Sequence, residues 1–578
     1  MRIIRIILAA LMFIACLGIF LDFTGILPAY LGWVAQIQAI PAILALNIGI
    51  LAILLALTLL FGRIYCSIIC PLGIFQDLWS ALRGKKRKYQ FREQTKKRRI
   101  IRYSVLALFI VLLIVGTSLT AVIEPYSAFG RMAASLFAPV YDAVNNQLAS
   151  MAESRDSYSF FAVDIWIRGT ASFILAIITF IGLAICGVLT GRSYCTNFCP
   201  VGTLLGIFAR FSLFKVRLDK DKCKDCGSCS NRCKAHCIDV KNHKVDPELC
   251  IGCMNCLKAC RFDAISYQPS IKNMIAGLPQ KDSSNSGTAS EHDDKVSEHP
   301  QSEPENAESV VPNHDSEQPS TSTDMPHETD SHEDNSDEAP KDGTEMKNNN
   351  QDTSGIESGN ETNSTNPVNE RRLFLAATAA AAGTALCPAL SIAGGGEQAL
   401  ANVTRKDPYP RETPITPPGS QSHVNFFHHC TGCMLCVRAC HNQVLRTMST
   451  GTKLLYPTLS FEYSYCRPTC NDCSQVCPTG AIRKLTLEQK SSVQIGHAVL
   501  SLENCLSVSQ GVHCRACGRS CPTGAITFTL AEKPDGKKYK FPVIDPERCI
   551  GCGACEYACP ARPIAAIHVE GNFQHREI

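Results

Sequence analysis

The sequence predicts a multi-domain chain: an α-helical membrane bundle of four transmembrane helices, joined to small α+β metal-binding modules on both sides of the membrane. Three observations predict it. Four apolar runs fall before residue 190, 32 cysteines recur mostly two or three residues apart, and a long polar tract separates two cysteine-rich halves of the 578-residue chain.

The apolar runs cover residues 3–20, 42–61, 104–122 and 172–189, each close to the about 18–20 residues that cross a bilayer. Only the first holds a charge, Arg5, near enough to its end to reach the interface. Residues 63–102 carry twelve Lys or Arg, including KKRK at 85–88 and KKRR at 96–99, whereas 123–168 carries only Arg131, Arg155 and Arg168. Basic loops stay in the cytoplasm. The N-terminus is therefore expected inside, and after four crossings the chain is inside again at Arg192. Flanked by spans, the basic loop reads as a topology signal, and nucleic acid is not an expected partner. The net charge of +4 averages a basic N-terminal third against an acidic centre and excludes little.

GRIYCSIICPLG at 62–73 and GRSYCTNFCPVG at 191–202 repeat Gly-Arg-x-Tyr-Cys-x3-Cys-Pro-x-Gly after the second and fourth runs. Cys66, Cys70, Cys195 and Cys199 are therefore a candidate redox site at the inner rim of the membrane. Three readings stay open: four thiolates around one metal cluster, two dithiol pairs, or a structural helix-end turn whose thiols do no chemistry.

Spacing decides the chemistry of the other cysteines. Disulfides need Cα atoms about 4.4–6.8 Å apart with suitable vectors, which crowded runs do not supply. Repeated C-x2-C-x2-C-x3-C is how a chain wraps thiolates around a cubane of iron and sulfide. Domain 211–270 holds two such runs, Cys223, Cys226, Cys229 and Cys233, then Cys250, Cys253, Cys256 and Cys260. This is a two-cluster, ferredoxin-like module, in which the fourth cysteine of each run serves the other run's cluster. One set is then Cys223, Cys226, Cys229 and Cys260, the other Cys250, Cys253, Cys256 and Cys233, with Cys237 a bystander. The topology places this module in the cytoplasm, behind the membrane domain 1–210.

Residues 271–368 are Ser, Asn, Asp, Glu and Pro with almost no large apolar side chains, a composition too poor in burial to fold. Its scattered histidines read as part of a solvated tether. In 369–401, Arg371 and Arg372 precede Leu-Phe-Leu, an Ala-rich run and Ala399-Leu400-Ala401. That is the pattern of a twin-arginine export signal or anchor with a small-residue cleavage site. Export in the folded state suits metal clusters, inserted before thiols meet an oxidising periplasm. Residues 402–578 are therefore expected outside.

The outer domain carries four more motifs: Cys430, Cys433, Cys436 and Cys440; Cys466, Cys470, Cys473 and Cys477; Cys505, Cys514, Cys517 and Cys521, with a loop inserted after Cys505; and Cys549, Cys552, Cys555 and Cys559. Sixteen ligands imply four clusters. Six [4Fe–4S] clusters are expected in all, with room for a seventh at the C-x3-C-P motifs. Cys16, Cys186, Cys237 and Cys387 are left over. Cys440-His441 lacks the C-x-x-C-H spacing of c-type haem attachment.

Residues 1–270 resemble the NapH-type membrane ferredoxins, quinol dehydrogenase subunits of periplasmic nitrate reductase systems, in their four apolar runs, two C-x3-C-P motifs and terminal two-cluster module. Residues 370–578 resemble the NapG-type exported ferredoxins in the twin-arginine leader, TPPGS at 416–420, CTGCMLC, ENCLSVSQGVHC and CIGCGAC. Methylamine-utilisation ferredoxins and a family of nitrous-oxide reductase regulators share parts of this plan. The resemblance implies a fusion of two otherwise separate proteins in a bacterial inner membrane. It implies oxidation of menaquinol or another quinol from the membrane pool, and delivery of electrons to a periplasmic redox partner, a reductase or a cytochrome. It also implies that the outer motifs pair first with fourth and second with third. Nothing in the chain identifies nitrate as the terminal acceptor.

Quinol oxidation needs a proton acceptor near the membrane surface, and Glu124 and Asp164 at helix edges are candidates. No histidine occurs in the first 200 residues, which excludes bis-histidine haem from the bundle and leaves the route between the two halves open. Three function classes compete: a quinol dehydrogenase-like electron-transfer component, an electron-donating maturation or regulatory factor for a partner metalloenzyme, and a scaffold whose clusters only stabilise folds. The first is the expectation.

Overall fold

Proline, glycine and asparagine set the limits of the N-terminal helices in the computed structural model, which describes residues 2–269 and 406–578 apart from 83–88, 90, 94, 158, 167, 450, 452, 533–535 and 537. The tether at 271–368, the leader with Arg371 and Arg372, and Cys387 lie outside the described residues. In chain order the principal helices are α1 (Arg2–Leu21), α2 (Ile48–Phe61), α3 (Pro71–Ala81), α4 (Lys96–Val115), α5 (Pro125–Met132), α6 (Ala138–Glu153), α7 (Thr170–Thr190) and α8 (Pro200–Ala209).

Four spans were expected; among the described residues two helices, α1 and α7, are long and apolar enough to cross a membrane. The physical reason lies in the caps. The Asn47 side chain accepts from the Ile50 N–H at 3.2 Å and starts α2 there, leaving 14 residues, about 21 Å at 1.5 Å per residue. Lys96, Lys97, Arg98, Arg99 and Arg102 occupy the start of α4, and Gly116 in the left-handed region ends it. Exposed apolar stripes nonetheless run along α1 (Ile3, Ile7, Leu11, Ile14) and α7 (Ile174, Ile178, Ile181, Ile185), the helical periodicity of one face. Contiguous exposed apolar surface marks contact with lipid or another protein.

Helix α5 is the centre of the bundle. All eight of its residues are buried, packed on α3 and α7, and a π-helical turn at Ala133–Phe137 leads from it into α6. Glu124 caps it, accepting from the Tyr126 N–H at 2.9 Å and from the Ser127 N–H.

The first cysteine-rich module is bracketed by Phe214–Leu218 paired antiparallel with Ile265–Pro269. Phe214 stacks between Phe61 at the end of α2 and Tyr267, with ring centroids 5.7 Å apart in each pair. The C-terminal domain is built on three antiparallel pairs: Leu445–Thr447 with Pro457–Leu459, Val493–Leu500 with Ile567–Glu577, and Ile526–Glu532 with Lys538–Ile544. It is seated on the bundle. Arg438 donates to both carboxylate oxygens of Asp142 at 2.7 and 2.6 Å, and to the Leu21 carbonyl at 2.7 Å. One hydrophobic core runs from Cys16 and Phe20 of α1 through Tyr126 and Phe129 of α5 to Met434 and Leu435.

Candidate iron–sulfur centres

Each C-x3-C-P motif folds alike. A short helical turn carries the first cysteine, and the second stands just before a helix opened by proline, Cys70 before α3 and Cys199 before α8. Proline suits that first position because its missing N–H has no intrahelical partner anyway. All four thiols are buried, and Cys70 lies within electrostatic reach of Cys66, Cys195 and Cys199. The two motifs therefore meet.

Their arginines cross over. Arg63 donates to the Cys195 carbonyl at 2.9 Å and lies 3.8 Å from Cys66 Sγ, while Arg192 donates to the Cys66 carbonyl. Gln76 Nε2 stands 3.3 Å from Cys195 Sγ, and the Gly202 N–H 3.3 Å from Cys199 Sγ. Donors of this kind stabilise thiolate charge. Asp77 grips Arg192 at 2.9 and 2.6 Å and takes Lys234 at 3.1 Å. Burial alone would raise the Asp77 carboxyl, but Arg192 and Lys234 outweigh it and hold the group well below the usual range. Arg63, Gln76, Asp77 and Arg192 were not singled out from sequence, although the arginines stand inside the repeat.

In the first module, Cys223, Cys226, Cys229 and Cys260 line one pocket. A second is lined by Cys233, Cys250, Cys253 and Cys256 together with Cys237. Cys237, expected to be a bystander to ligation, has its sulfur 3.5 Å from that of Cys233.

In the C-terminal domain the structure corrects the pairing. Neighbouring motifs combine, first with second and third with fourth. Cys430 and Cys436 face Cys477, and Cys440 faces Cys466 and Cys473. Cys505, Cys514 and Cys517 line a cavity with Cys559, and Cys549 and Cys552 face Cys521. The reason is local: the Leu445–Thr447 and Pro457–Leu459 hairpin turns the chain after Cys440 back toward the second motif.

These sets form a sequence in space. Arg63 Nη1 donates to the Glu248 carbonyl at 2.8 Å, and the Arg192 N–H to the Lys234 carbonyl at 3.1 Å, so the Cys233–Cys256 half of the first module abuts the paired-cysteine site. On the opposite side Tyr194, next to Cys195, donates from its hydroxyl to the Ile123 carbonyl at 3.0 Å. Beyond Ile123 come the Glu124 cap and Ser127, whose hydroxyl donates to the Thr431 carbonyl in the first outer motif. A Cβ on Gly130 would collide with the Cys433 carbonyl. Ile123, the Glu124 cap and helix α5 thus link the second C-x3-C-P motif to the first C-terminal motif. The Cys466 N–H then meets the Cys552 carbonyl at 2.9 Å, joining the two outer lobes. Burial pushes the Glu124 carboxyl up against hydrogen bonds from Ser127 and Tyr126, while Asp164 is exposed on the loop before α7.

The thiol sets fit [4Fe–4S] cubanes better than single metal ions. Among the described residues, the one group of three metal-binding atoms within 4.8 Å of one another is Cys223, Asp225 and His243. Tetrahedral zinc, with Zn–S about 2.3 Å, draws its sulfurs to about 3.8 Å apart. No described cysteine is disulfide-bonded.

Fold and thiol sets define a multi-cluster iron–sulfur protein. A 4Fe-4S binding domain family matches residues 44–90 and 172–219, spanning both C-x3-C-P motifs. A 4Fe-4S dicluster domain family matches 429–508 and 512–562, and a further 4Fe-4S binding domain family matches 243–266. The chain belongs to the ferredoxin-type electron-transport proteins. It is 32% identical over 159 residues to the ferredoxin-type protein NapF of Escherichia coli, covering 27% of this chain and 87% of NapF. It is 31% identical over 211 residues to the methylamine utilization ferredoxin-type protein MauM of Methylobacillus flagellatus, 35% of this chain and 86% of MauM. The ferredoxin-type protein NapH of Haemophilus influenzae is 26% identical over 227 residues, 37% of this chain and 64% of NapH. Other curated relatives are spanned over only 35% and 55% of their length. No solved structure matches.

Proposed function

We propose that the chain is a membrane-bound electron conduit of seven [4Fe–4S] clusters that oxidises menaquinol or another quinol and passes electrons to a periplasmic redox partner of residues 402–578. The observation that carries it is the gathering of Cys66, Cys70, Cys195 and Cys199 at one buried site, in contact with the first module on one side and linked to the first outer motif through Ile123, Glu124 and α5 on the other. Such clusters, when bound, take and release single electrons. The residues of the chain supply the rest: Arg63, Arg192 and Gln76 offset thiolate charge, and the buried α5 keeps water from the interval between thiol sets. Exposed apolar side chains on α2 (Ile53, Leu59, Leu60) and α4 (Leu108, Val111, Ile114) support embedding of all four spans, the short α2 and the basic-ended α4 included.

The test is anaerobic absorbance of the detergent-purified full chain mixed with a reduced menaquinone analogue. Bleaching of the iron–sulfur band, lost when Cys66 and Cys195 become Ser, is the expected result. Bleaching by a low-potential donor but not by quinol overturns it. A second reading, electron donation from a soluble carrier to a partner metalloenzyme under maturation, is favoured by the exposure of Cys226 in the first module, and would then lead.

A further inference from the structure

We infer that the quinol ring binds in the groove between α1, α3 and the first ferredoxin module; this rests on the quinol reading above and gives it a place. The groove is open to its surroundings along one side. Its walls differ in chemistry. Ile6, Ala10 and Ile14 of α1 with Leu78 of α3 form an apolar wall, and Asn231, Asn255, Lys258 and Arg261 of the module form a polar one. The apolar wall continues into the exposed stripe of Ile3, Ile7 and Leu11. A ligand entering from that side must be apolar along its length and polar at one end, the form of a ring with two oxygens on an isoprenoid tail.

Arg5 stands at the junction. It lies one turn after Arg2 in a helix whose other residues carry no charge, is 9% exposed, and lines the groove. Its Nη1 is 3.4 Å from the Ser67 carbonyl and 3.5 Å from Asp77, while its buried Nε has no hydrogen-bond partner. An unsatisfied buried donor is costly, and a ring oxygen would satisfy it. Asp77 offsets Arg5 and Lys234 at 3.5 and 3.1 Å, but Arg2, Arg232, Lys258 and Arg261 also line the groove, so an anionic lipid headgroup is the competing occupant that the test must exclude.

The groove touches one thiol set directly and reaches the paired-cysteine site through an intervening ion pair. Cys226 lines it, and so does Asp77, which grips the Arg192 that holds the Cys66 carbonyl. A quinol oxidised there gives up two electrons, one to each of two oxidised [4Fe–4S] clusters, and two protons to solvent at the polar mouth, leaving a quinone. Neither Glu124 nor Asp164 lines the groove.

The test is photolabelling of the oxidised, cluster-loaded full chain in nanodiscs with an azido-menaquinone analogue, followed by peptide mapping. Label is expected on α1 between Ile6 and Ile14 or on α3 between Ile74 and Ala81. Ala10→Trp, which fills the apolar wall, should lower it more than tenfold at unchanged iron content, and Leu78→Trp serves where the first variant fails to fold. Label confined elsewhere, no label, or label undiminished by either variant overturns the site. Displacement by excess phosphatidylglycerol but not by menaquinone makes the groove a lipid site and also overturns it. Labelling needs no electron transfer. A labelled groove in a protein that quinol cannot bleach would therefore sink the conduit reading while the binding site stands.

Discussion

Arg63 of the first C-x3-C-P motif holds Cys195 of the second, donating to its carbonyl at 2.9 Å, and Arg192 returns the bond to Cys66. Each half of the repeat thereby fixes the first cysteine of the other, which is why two motifs more than a hundred residues apart build one site. Arg192 is fully buried and paired with Asp77. Removing one partner of a buried ion pair costs about 3–5 kcal/mol. Arg192→Met should therefore lower the unfolding temperature and reduce iron by one cluster per chain, with Arg192→Lys intermediate because it keeps charge but not the fork. Wild-type iron and stability in Arg192→Met would count against the crossed arrangement.

The glycines that close the repeat are constrained by the same crossing. A Cβ on Gly73 would stand 2.5 Å from the Cys66 carbonyl, and one on Gly202 2.5 Å from the Cys195 carbonyl. Overpacking of this kind costs about 1–3 kcal/mol. Gly73→Ala and Gly202→Ala should each destabilise the chain by about that much. Gly182→Ala in α7, where nothing lies within 4 Å of the added carbon, should be neutral or stabilising by up to about 1 kcal/mol. Thermal unfolding of the three variants decides it.

How much of this was legible follows from what each signal encodes. Ligand spacing is local, so the cysteine sets of each motif could be read from the chain. Which motifs combine is not local. The four outer motifs look alike, and the choice is made by the short hairpin after Cys440, whose three-residue strands give little periodicity. The apolar runs gave helices but not their lengths, because Asn47 and Gly116 cut inside or beside them. Arg63 and Arg192 stood in plain view in the repeat, yet only the fold shows that each reaches across. The role of VIEPYSAFG as the buried helix between the two halves rests on Ser127 and Gly130, small residues whose partners Thr431 and Cys433 lie some three hundred positions away.

The seating of the C-terminal domain depends on Arg438 and Asp142, both buried and doubly hydrogen-bonded. Arg438→Ala or Asp142→Ala leaves a buried charge unpaired, at about 3–5 kcal/mol. The double variant should cost little more than either single one. Hydrogen exchange of residues 430–448 is the measurement, faster in both single variants and no faster again in the double. Additive effects would show that the pair is not coupled.

Acid should loosen the C-terminal strand. Burial, with His423 nearby, lowers His575 from its ordinary value to about 4. The unfolded chain, at about 6.5, takes up a proton that the folded one refuses. The resulting stability is fully present above about pH 6.5 and is lost as pH falls toward 4. The unfolding temperature of the C-terminal domain should fall across that window, and less steeply in His575→Gln. Equal slopes in the two proteins would remove His575 as the cause.

Neighbour pairing of the outer motifs makes a prediction that the alternative reverses. Cys477 faces Cys430, so Cys430→Ser and Cys477→Ser strike the same set, and the double variant should lose one cluster's iron, as either single does. Cys559 lines the cavity of Cys505, Cys514 and Cys517, so Cys430→Ser combined with Cys559→Ser strikes two sets and should lose twice that iron. Were first and fourth motifs partners, the outcomes would exchange: Cys430 with Cys559 would cost one cluster, and Cys430 with Cys477 two. Iron per chain, checked against the intensity of the reduced-cluster paramagnetic resonance signal, separates the two arrangements without reference to any electron donor.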